Sequence, residues 1–376
     1  MAKGKKNVRP FTVNTMTEKN QLGAGVFNVM KKENFLSIKG IADKASVPGQ
    51  SVAEYISACV KKDLLQLSSS PKGDIVKFNE KYGTVLGIGF SGAKCFMSAM
   101  DLGGNVVSKE NTEIGLLAKW KGKNKEVAAL VDEIGAIPSL KDKMFTCVGV
   151  AVPEAMGEAN SHTAEMLAEG VGGIFNCDTY TCNAAPAAAY GERDALPEAR
   201  GRDILYLHSD IGNGVVIRKE IIFEALEHTQ GKGEAYLAPW KQFSIVETAK
   251  DLVNKGLGTD IVNIVNGDIE AITLDIVLQA AESGDELADD LVRRAGLALG
   301  VRAAYLVNIF GATTVMIGGG AEKKEGGFIK YVKESQERFL LEELRGEVEV
   351  ISCTLGKEAP SVGAAALCRR ELFMEV

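Results

Sequence analysis

The 376-residue chain is sparing with the residues that staple or metallate small folds: seven cysteines, three histidines, nine prolines and two tryptophans. No two cysteines form a CxxC pair, so a disulfide framework is excluded and a reducing cytoplasm is the expected home. Cys59, Cys95, Cys147, Cys177, Cys182, Cys353 and Cys368 lie on apolar segments and read as core residues. Long hydrophobic runs are scarce too. The longest uncharged stretch, Ala303 to Ala321, contains Asn308 and four glycines, and reads as the end of a buried helix followed by a strand. No membrane partner is expected. Met1 to Phe11 is basic but leads into no apolar signal core, so no secretory leader is read there. What remains is an ordinary globular mixture, 46% apolar and 25% charged, which excludes disorder and collagen-like repeats. The length suits two or three domains of about 100 to 200 residues each.

Charge is unevenly spread. Residues 1–82 carry 14 Lys+Arg and 7 Asp+Glu, the remaining 294 carry 29 and 43, and the whole chain stands at −7. A basic head on an acidic body points to a polyanionic partner for the head alone.

The head parses as a winged helix. Leu22, Val26, Val29 and Met30 recur at helical spacing within Asn14 to Lys32. Ser37 can cap a second helix from Ile38 to Lys44, and Pro48 is placed to open a third that runs to about Lys62 with Val47, Val52, Ile56 and Val60 inward. Two short helices joined by a tight turn are the helix-turn-helix arrangement, whose second helix enters the major groove of double-stranded DNA. Leu64 to Leu67 and Ile75 to Phe78, separated by Ser68 to Asp74, read as the hairpin of the wing. Lys39, Lys44, Lys61, Lys62 and Lys72 suit phosphates, while Gln50, Ser51 and Glu54 at the start of the third helix suit base edges. Lys3, Lys5, Lys6 and Arg9 read as a flexible arm.

Beyond Tyr82 apolar strands alternate with alanine-rich helices and glycine turns, an α/β pattern. Leu86 to Lys94 is a strand entering a glycine turn and returning to Met100. Ile204 to Leu207, His208 to Gly214 and Val215 to Ile217 repeat the device. Glu282 to Leu299 continuing through Ala303 to Phe310, and Phe328 to Leu344, read as amphipathic helices around a strand at Thr313 to Ile317.

Five segments then carry a resemblance: Val148-Gly149-Val150-Ala151-Val152-Pro153, Asn183 to Glu192, Glu227-His228-Thr229-Gln230, Val315-Met316-Ile317-Gly318-Gly319-Gly320 and Val362-Gly363-Ala364-Ala365-Ala366. Their order and spacing resemble the ROK family of repressors, open reading frames and sugar kinases, in its repressor branch, from Asn14 to Leu372. The resemblance implies an α/β chain with an N-terminal winged helix-turn-helix over 1–82, followed by a two-lobed actin-like/sugar-kinase (ribonuclease H-like) fold. The first lobe would take 83–195 plus 357–376, and the second, dimerising lobe 196–356.

Set against kinases of that family, the chemistry is missing. Phosphoryl transfer needs a base at the attacking hydroxyl and a carboxylate for Mg²⁺. Where the resemblance places the catalytic Asp the chain has Ala184, and where it places the phosphate-turn Asp it has Gly89. Ser91-Gly92-Ala93 replaces a Gly-Gly-Thr run, and Asp210 sets negative charge in the second turn. The cysteines of the family's zinc site have no counterpart in Gly231 to Trp240, so neither zinc nor any other cofactor is expected. Asn183, His228 and Glu247 match positions that hydrogen-bond sugar hydroxyls, whereas Ala225 replaces a family Glu. Glu154 after Pro153 marks a shortened loop at the sugar cleft.

The expectation is therefore a non-enzymatic DNA-binding regulator, a repressor sensing a sugar or sugar phosphate as a homodimer or higher homo-oligomer. A constitutive DNA-binding or protein-interaction scaffold is the alternative, and an ATP-dependent sugar kinase a third reading.

Overall fold

The protein is described by a computed structural model at residues 8–11, 18–33, 35–69, 74–91, 94–114, 124–141, 143–153, 161–209, 214–218, 220–224, 244–323 and 327–376. Two compact units divide it: Met1–Arg202 with Ile217–Phe223 and Lys357–Val376, and Asp203–Val216 with Glu224–Gly356.

In the first unit, β1 (Val8–Pro10) precedes α1 (Glu18–Lys32), β2 (Leu36–Ser37), α2 (Ile38–Ala45), α3 (Gly49–Lys61), β3 (Leu65–Ser68) and β4 (Ile75–Phe78). The Ser37 hydroxyl accepts the Gly40 N–H at 3.1 Å and starts α2, as its sequence position predicts. Ser46, at φ 56°, closes it. Pro48 is the N-cap of α3 rather than its first helical residue, a shift of one position. The wing holds the expected hairpin, with Leu67 opposite Val76. It also has a third strand that the periodicity does not show, since β2 is only two residues long: Leu36 pairs with Val76 from the other side.

The first lobe follows as β5 (Thr84–Ser91), β6 (Lys94–Asp101), β7 (Val106–Glu113), α4 (Asn124–Ala136), α5 (Pro138–Lys141), β8 (Phe145–Val152), α6 (His162–Phe175), β9 (Asp178–Asn183) and α7 (Ala184–Ala195). Its sheet is ordered β1-β9-β8-β5-β6-β7, with β5, β6 and β7 antiparallel and β8 and β9 parallel to β5. Arg9 does not lie on a loose arm: β1 runs parallel to β9, and the Arg9 guanidinium pairs with Glu375 at 2.9 Å.

The later elements are β10 (Ile204–His208), β11 (Gly214–Arg218), β12 (Ile221–Glu224), α8 (Ile245–Asn254), α9 (Ile261–Ile264), α10 (Leu274–Glu282), α11 (Glu286–Phe310), β13 (Thr314–Gly318), α12 (Phe328–Phe339), β14 (Glu349–Ser352) and α13 (Ala359–Met374). In the second unit β10, β13 and β14 run parallel, and α11 buries Leu291, Ala295, Leu299 and Ala303 in the core. Helix α11 begins four residues later than its apolar pattern suggests. Gly284, at φ 94°, breaks the chain after α10, and the Asp285 carboxylate then caps α11 by accepting the Ala288 N–H at 2.7 Å. Helix α12 ends at Phe339, ahead of a single 3₁₀ turn at Glu342–Leu344, so the helix expected to reach Leu344 is shorter.

Helix α13 returns to the first unit and ties its parts together. It packs backbone to backbone on α7: a Cβ on Gly363 would lie 1.7 Å from the Ala187 carbonyl oxygen. Its far end enters the winged-helix core, where Phe373 joins Val26, Phe27, Ile41, Val52, Ile56 and Phe78. The Phe373 ring stacks on Phe27 with centroids 4.9 Å apart, and its carbonyl accepts the Tyr55 hydroxyl at 2.6 Å.

A buried ionic cluster makes a second junction between head and lobe. Lys31 of α1 donates to Asp194 at 2.8 Å and to the Tyr190 hydroxyl at 3.1 Å. Glu220, in the two-residue connection between β11 and β12, accepts from Arg193 at 2.7 Å and from Tyr190 at 2.8 Å. Burial alone would raise the Glu220 carboxyl, but Arg193, then Lys31 and Arg370, overcome it and bring it down to about 2. Because the folded value lies below the unfolded one, this contribution is complete above about pH 4.5 and is lost as pH falls toward 2. Urea unfolding of the wild type should therefore show stability falling by on the order of 3 kcal/mol across that window on this group's account. Glu220→Gln should start lower at pH 7 and decline less; equal slopes would contradict the assignment.

Candidate functional site

On the head, the first turns of α3 face outward as a reading surface must. Gln50 and Glu54 are exposed and Ser51 is half-buried. The spacing of four residues lets the Gln50 amide donate to the Glu54 carboxylate at 3.0 Å, which orients the pair and leaves the Gln50 carbonyl as an acceptor. Cys59, read as a core residue, and Tyr55, which the sequence pattern does not single out, fill the opposite face with Val52 and Ile56.

The cations expected at phosphates differ in what holds them. Lys39 and Lys61 are exposed. Lys44 is engaged by Glu33, and the exposed Lys62 ammonium donates to the Glu375 carbonyl at 3.0 Å. Lys72 lies outside the described residues, as do Lys3, Lys5 and Lys6.

In the first lobe, β5 brings Gly89 toward its turn with Lys94, opening β6, on the far side. The position is closed. A Cβ on Gly89 would lie 2.6 Å from the Ser361 nitrogen and 2.7 Å from the Pro360 Cβ, both at the start of α13. Ser361 is fixed there by a 2.9 Å hydrogen bond between its hydroxyl and that of Ser98. No carboxylate side chain fits where the resemblance places the metal-binding Asp of a kinase. Gly92 and Ala93 lie outside the described residues.

Asn183 ends β9 opposite Val152 and is the N-cap of α7, although its side chain does not bond the helix amides. It is half-buried, and Ala184 follows with only a methyl group. A strand running directly into a helix is a good place for a side chain aimed at a ligand, because both elements fix its backbone.

The second unit has its own glycine turn, after β13. Gly319 and Gly320 take φ of 107° and 123°, which L side chains rarely adopt. Such turns offer backbone N–H groups to phosphates. Here the acceptors are internal: the Glu322 carboxylate accepts the Gly320 N–H at 2.7 Å and the Ser209 hydroxyl accepts the Ala321 N–H at 3.1 Å. The Ser209 N–H in turn donates to the Gly318 carbonyl at 2.6 Å. The His208 ring covers Gly319, lying 2.6 Å from where a Cβ would stand. Sequence reasoning missed Glu322, whose position two residues after the third glycine is the only signal it gives.

Glu247 is exposed in the first turn of α8 and belongs to the second unit, whereas Asn183 belongs to the first. His228, Ala225 and Asp210 lie outside the described residues, as do Glu154 and the segment Gly231 to Trp240. All seven cysteines are buried, and none is in a disulfide. Among the described residues, no three or more His, Cys, Asp and Glu side chains are grouped to hold a metal, and no helix is long and apolar enough to cross a membrane.

Comparison with known proteins agrees with this geometry. Residues 254–371 match the ROK family. No curated protein matches the sequence. Among solved structures, a ROK family transcriptional regulator, a homologue of the E. coli Mlc protein, aligns over 94% of this chain and 97% of its own, with TM-score 0.67 and 14% identity. A ROK family glucokinase from Streptomyces griseus, solved with glucose and AMPPNP, aligns over 76% of this chain and 99% of its own, with TM-score 0.60 and 20% identity. A ROK hexokinase from Thermus thermophilus aligns over 76% and 97%, with TM-score 0.53 and 18% identity. At these identities the shared property is the fold, an α/β, actin-like body.

Proposed function

We propose that this chain is a DNA-binding transcriptional regulator, a repressor whose ROK-type body transfers no phosphate and instead senses a sugar or sugar derivative. The observation that carries this reading is the exposed Gln50–Glu54 face of α3 on a basic winged helix. The alignment of a ROK transcriptional regulator over 94% of the chain supports it. The closed position at Gly89 and the internally satisfied amides of Gly320 and Ala321 speak against nucleotide chemistry in the body. Binding as a homodimer would match paired half-sites on DNA.

The test is selection of duplexes from a random pool by the purified protein, followed by titration of the selected site at several salt concentrations. Replacing Lys39 and Lys61 together with Ala should weaken binding about tenfold for all sequences and lower the salt slope by roughly two, about one per lost phosphate contact. Gln50→Ala should change which base is preferred and leave the salt slope intact. Binding that ignores salt, or no enrichment of any duplex, would overturn the assignment.

The sensing function has its own measurement. A sugar or sugar phosphate that binds only the folded body stabilises it by mass action, about 2.7 kcal/mol at one hundred times Kd, and so raises its melting temperature. Mg²⁺ with ATP should leave the melting temperature unchanged. A body that responds to none of a broad sugar panel would be the constitutive scaffold instead.

A further inference from the structure

The buried cluster contains a residue that turn chemistry would not choose. Only two residues connect β11 to β12, a length that favours glycine, asparagine or aspartate at positive φ. Glu220 stands there at φ 66° and is 2% exposed. A non-glycine residue held in this region costs free energy and persists where its surroundings over-determine it.

Those surroundings come from three helices. Arg193 and the Tyr190 hydroxyl, from α7, hold the two carboxylate oxygens at 2.7 and 2.8 Å. Arg370, from α13, donates to the Glu220 carbonyl at 3.0 Å. Lys31, from α1, lies 3.8 Å from the carboxylate and shares the Tyr190 hydroxyl with it. Among the described residues, other charges at the cluster are Asp194 on Lys31, Glu371 on Arg370, and Arg369 over Phe27 and Phe78, with Asp101 and Arg200 beside Arg369. Burial brings the Lys31 ammonium down to about 8, against the pull of Asp194 and Glu220. Burial thus opposes the Lys31 charge, and its ion pairs alone are weak evidence of stability.

Lys31 is in the last turn of α1, and the same helix sends Val26, Phe27 and Met30 into the core that seats α3. We propose that Glu220 is a positioning residue for the DNA-binding head: through Lys31 and Tyr190 it fixes α1, and through α1 the presentation of α3. The inference rests on the DNA-binding reading for its consequence and on geometry alone for the positioning.

Glu220→Gln keeps the shape and removes the charge; Glu220→Asp keeps the charge on a shorter stem. Amide hydrogen exchange of the full chain is compared with affinity for a duplex selected by the wild type. Glu220→Gln should lower protection in α1 and α3 at least tenfold, leave α11 unchanged, and weaken DNA binding at least tenfold at a temperature where circular dichroism shows it folded. Glu220→Asp should recover part of both losses. Wild-type protection in α1 and α3 of the Gln variant, or equal behaviour of Gln and Asp, would overturn the proposal by reducing Glu220 to packing. Should Glu220→Gln fail to fold, Lys31→Met decides: selective loss of head protection supports the coupling, and unchanged protection refutes it. If the wild type selects no duplex, the exchange result still stands or falls alone, and it is the DNA-binding reading that fails.

Discussion

Gly89→Asp will not turn this body into a kinase; it will break the first lobe. The substitution restores the carboxylate that the ROK resemblance assigns to that turn, yet the new Cβ would sit 2.6 Å from the Ser361 nitrogen and 2.7 Å from Pro360. These are backbone and ring atoms that no side-chain rotation can clear. Ser361 cannot back away cheaply either, since its hydroxyl is bonded to Ser98 and to the Glu358 carbonyl. Overpacking of this kind, with a carboxylate to desolvate as well, should cost at least about 3 kcal/mol in chemical denaturation. Combining it with Ala184→Asp should add no sugar-dependent ATP turnover. A stable double variant that phosphorylates a hexose in the presence of Mg²⁺ would refute the claim that α13 leaves no room for a carboxylate at position 89.

The second large effect lies at the other end of the same helix. Phe373→Ala should destabilise the winged head by about 3–5 kcal/mol, the range for truncating a fully buried aromatic. Phe373 is 1% exposed, stacks on Phe27, and meets Phe78 edge-on with centroids 5.4 Å apart. Aromatic packing within one core is not easily replaced by relaxation of its neighbours. Amide exchange resolved by peptide should show α1, α2 and α3 opening while α11 keeps its protection. DNA affinity should fall with the head even though no residue at the reading surface has changed. Retained protection in α3 would mean that the head folds without α13.

The sequence made the head legible wherever structure is set locally. Ser37 and Pro48 announce the starts of α2 and α3 because capping is decided within a few residues. The paired glycine-turn strands in the two units were likewise visible, as was the strand running into α7 at Asn183. What escaped is non-local. The strands β1 and β2 are three and two residues long, too short to show a period, and are recognised only by their partners β9 and β4. Lys31 and Glu220 look like solvated charges in the sequence, and only packing brings them together across the chain. Nothing local reveals that the Glu375 carbonyl lies within reach of Lys62. The candidate site follows the same division. Ala184 and Gly89 differ by residue type from what the resemblance implies for a kinase, but the atoms that crowd position 89 belong to α13, far along the chain.

The seating of Phe373 in the winged-helix core also has a consequence for synthesis. Tyr55 waits for a carbonyl 318 residues further on, a delay of roughly 15 to 60 s at ordinary elongation rates. Until that segment clears the ribosome, the winged head is an unfinished core with an open aromatic slot. Chains that stop short of Phe373 should thus carry an incompletely packed head, whatever that head binds.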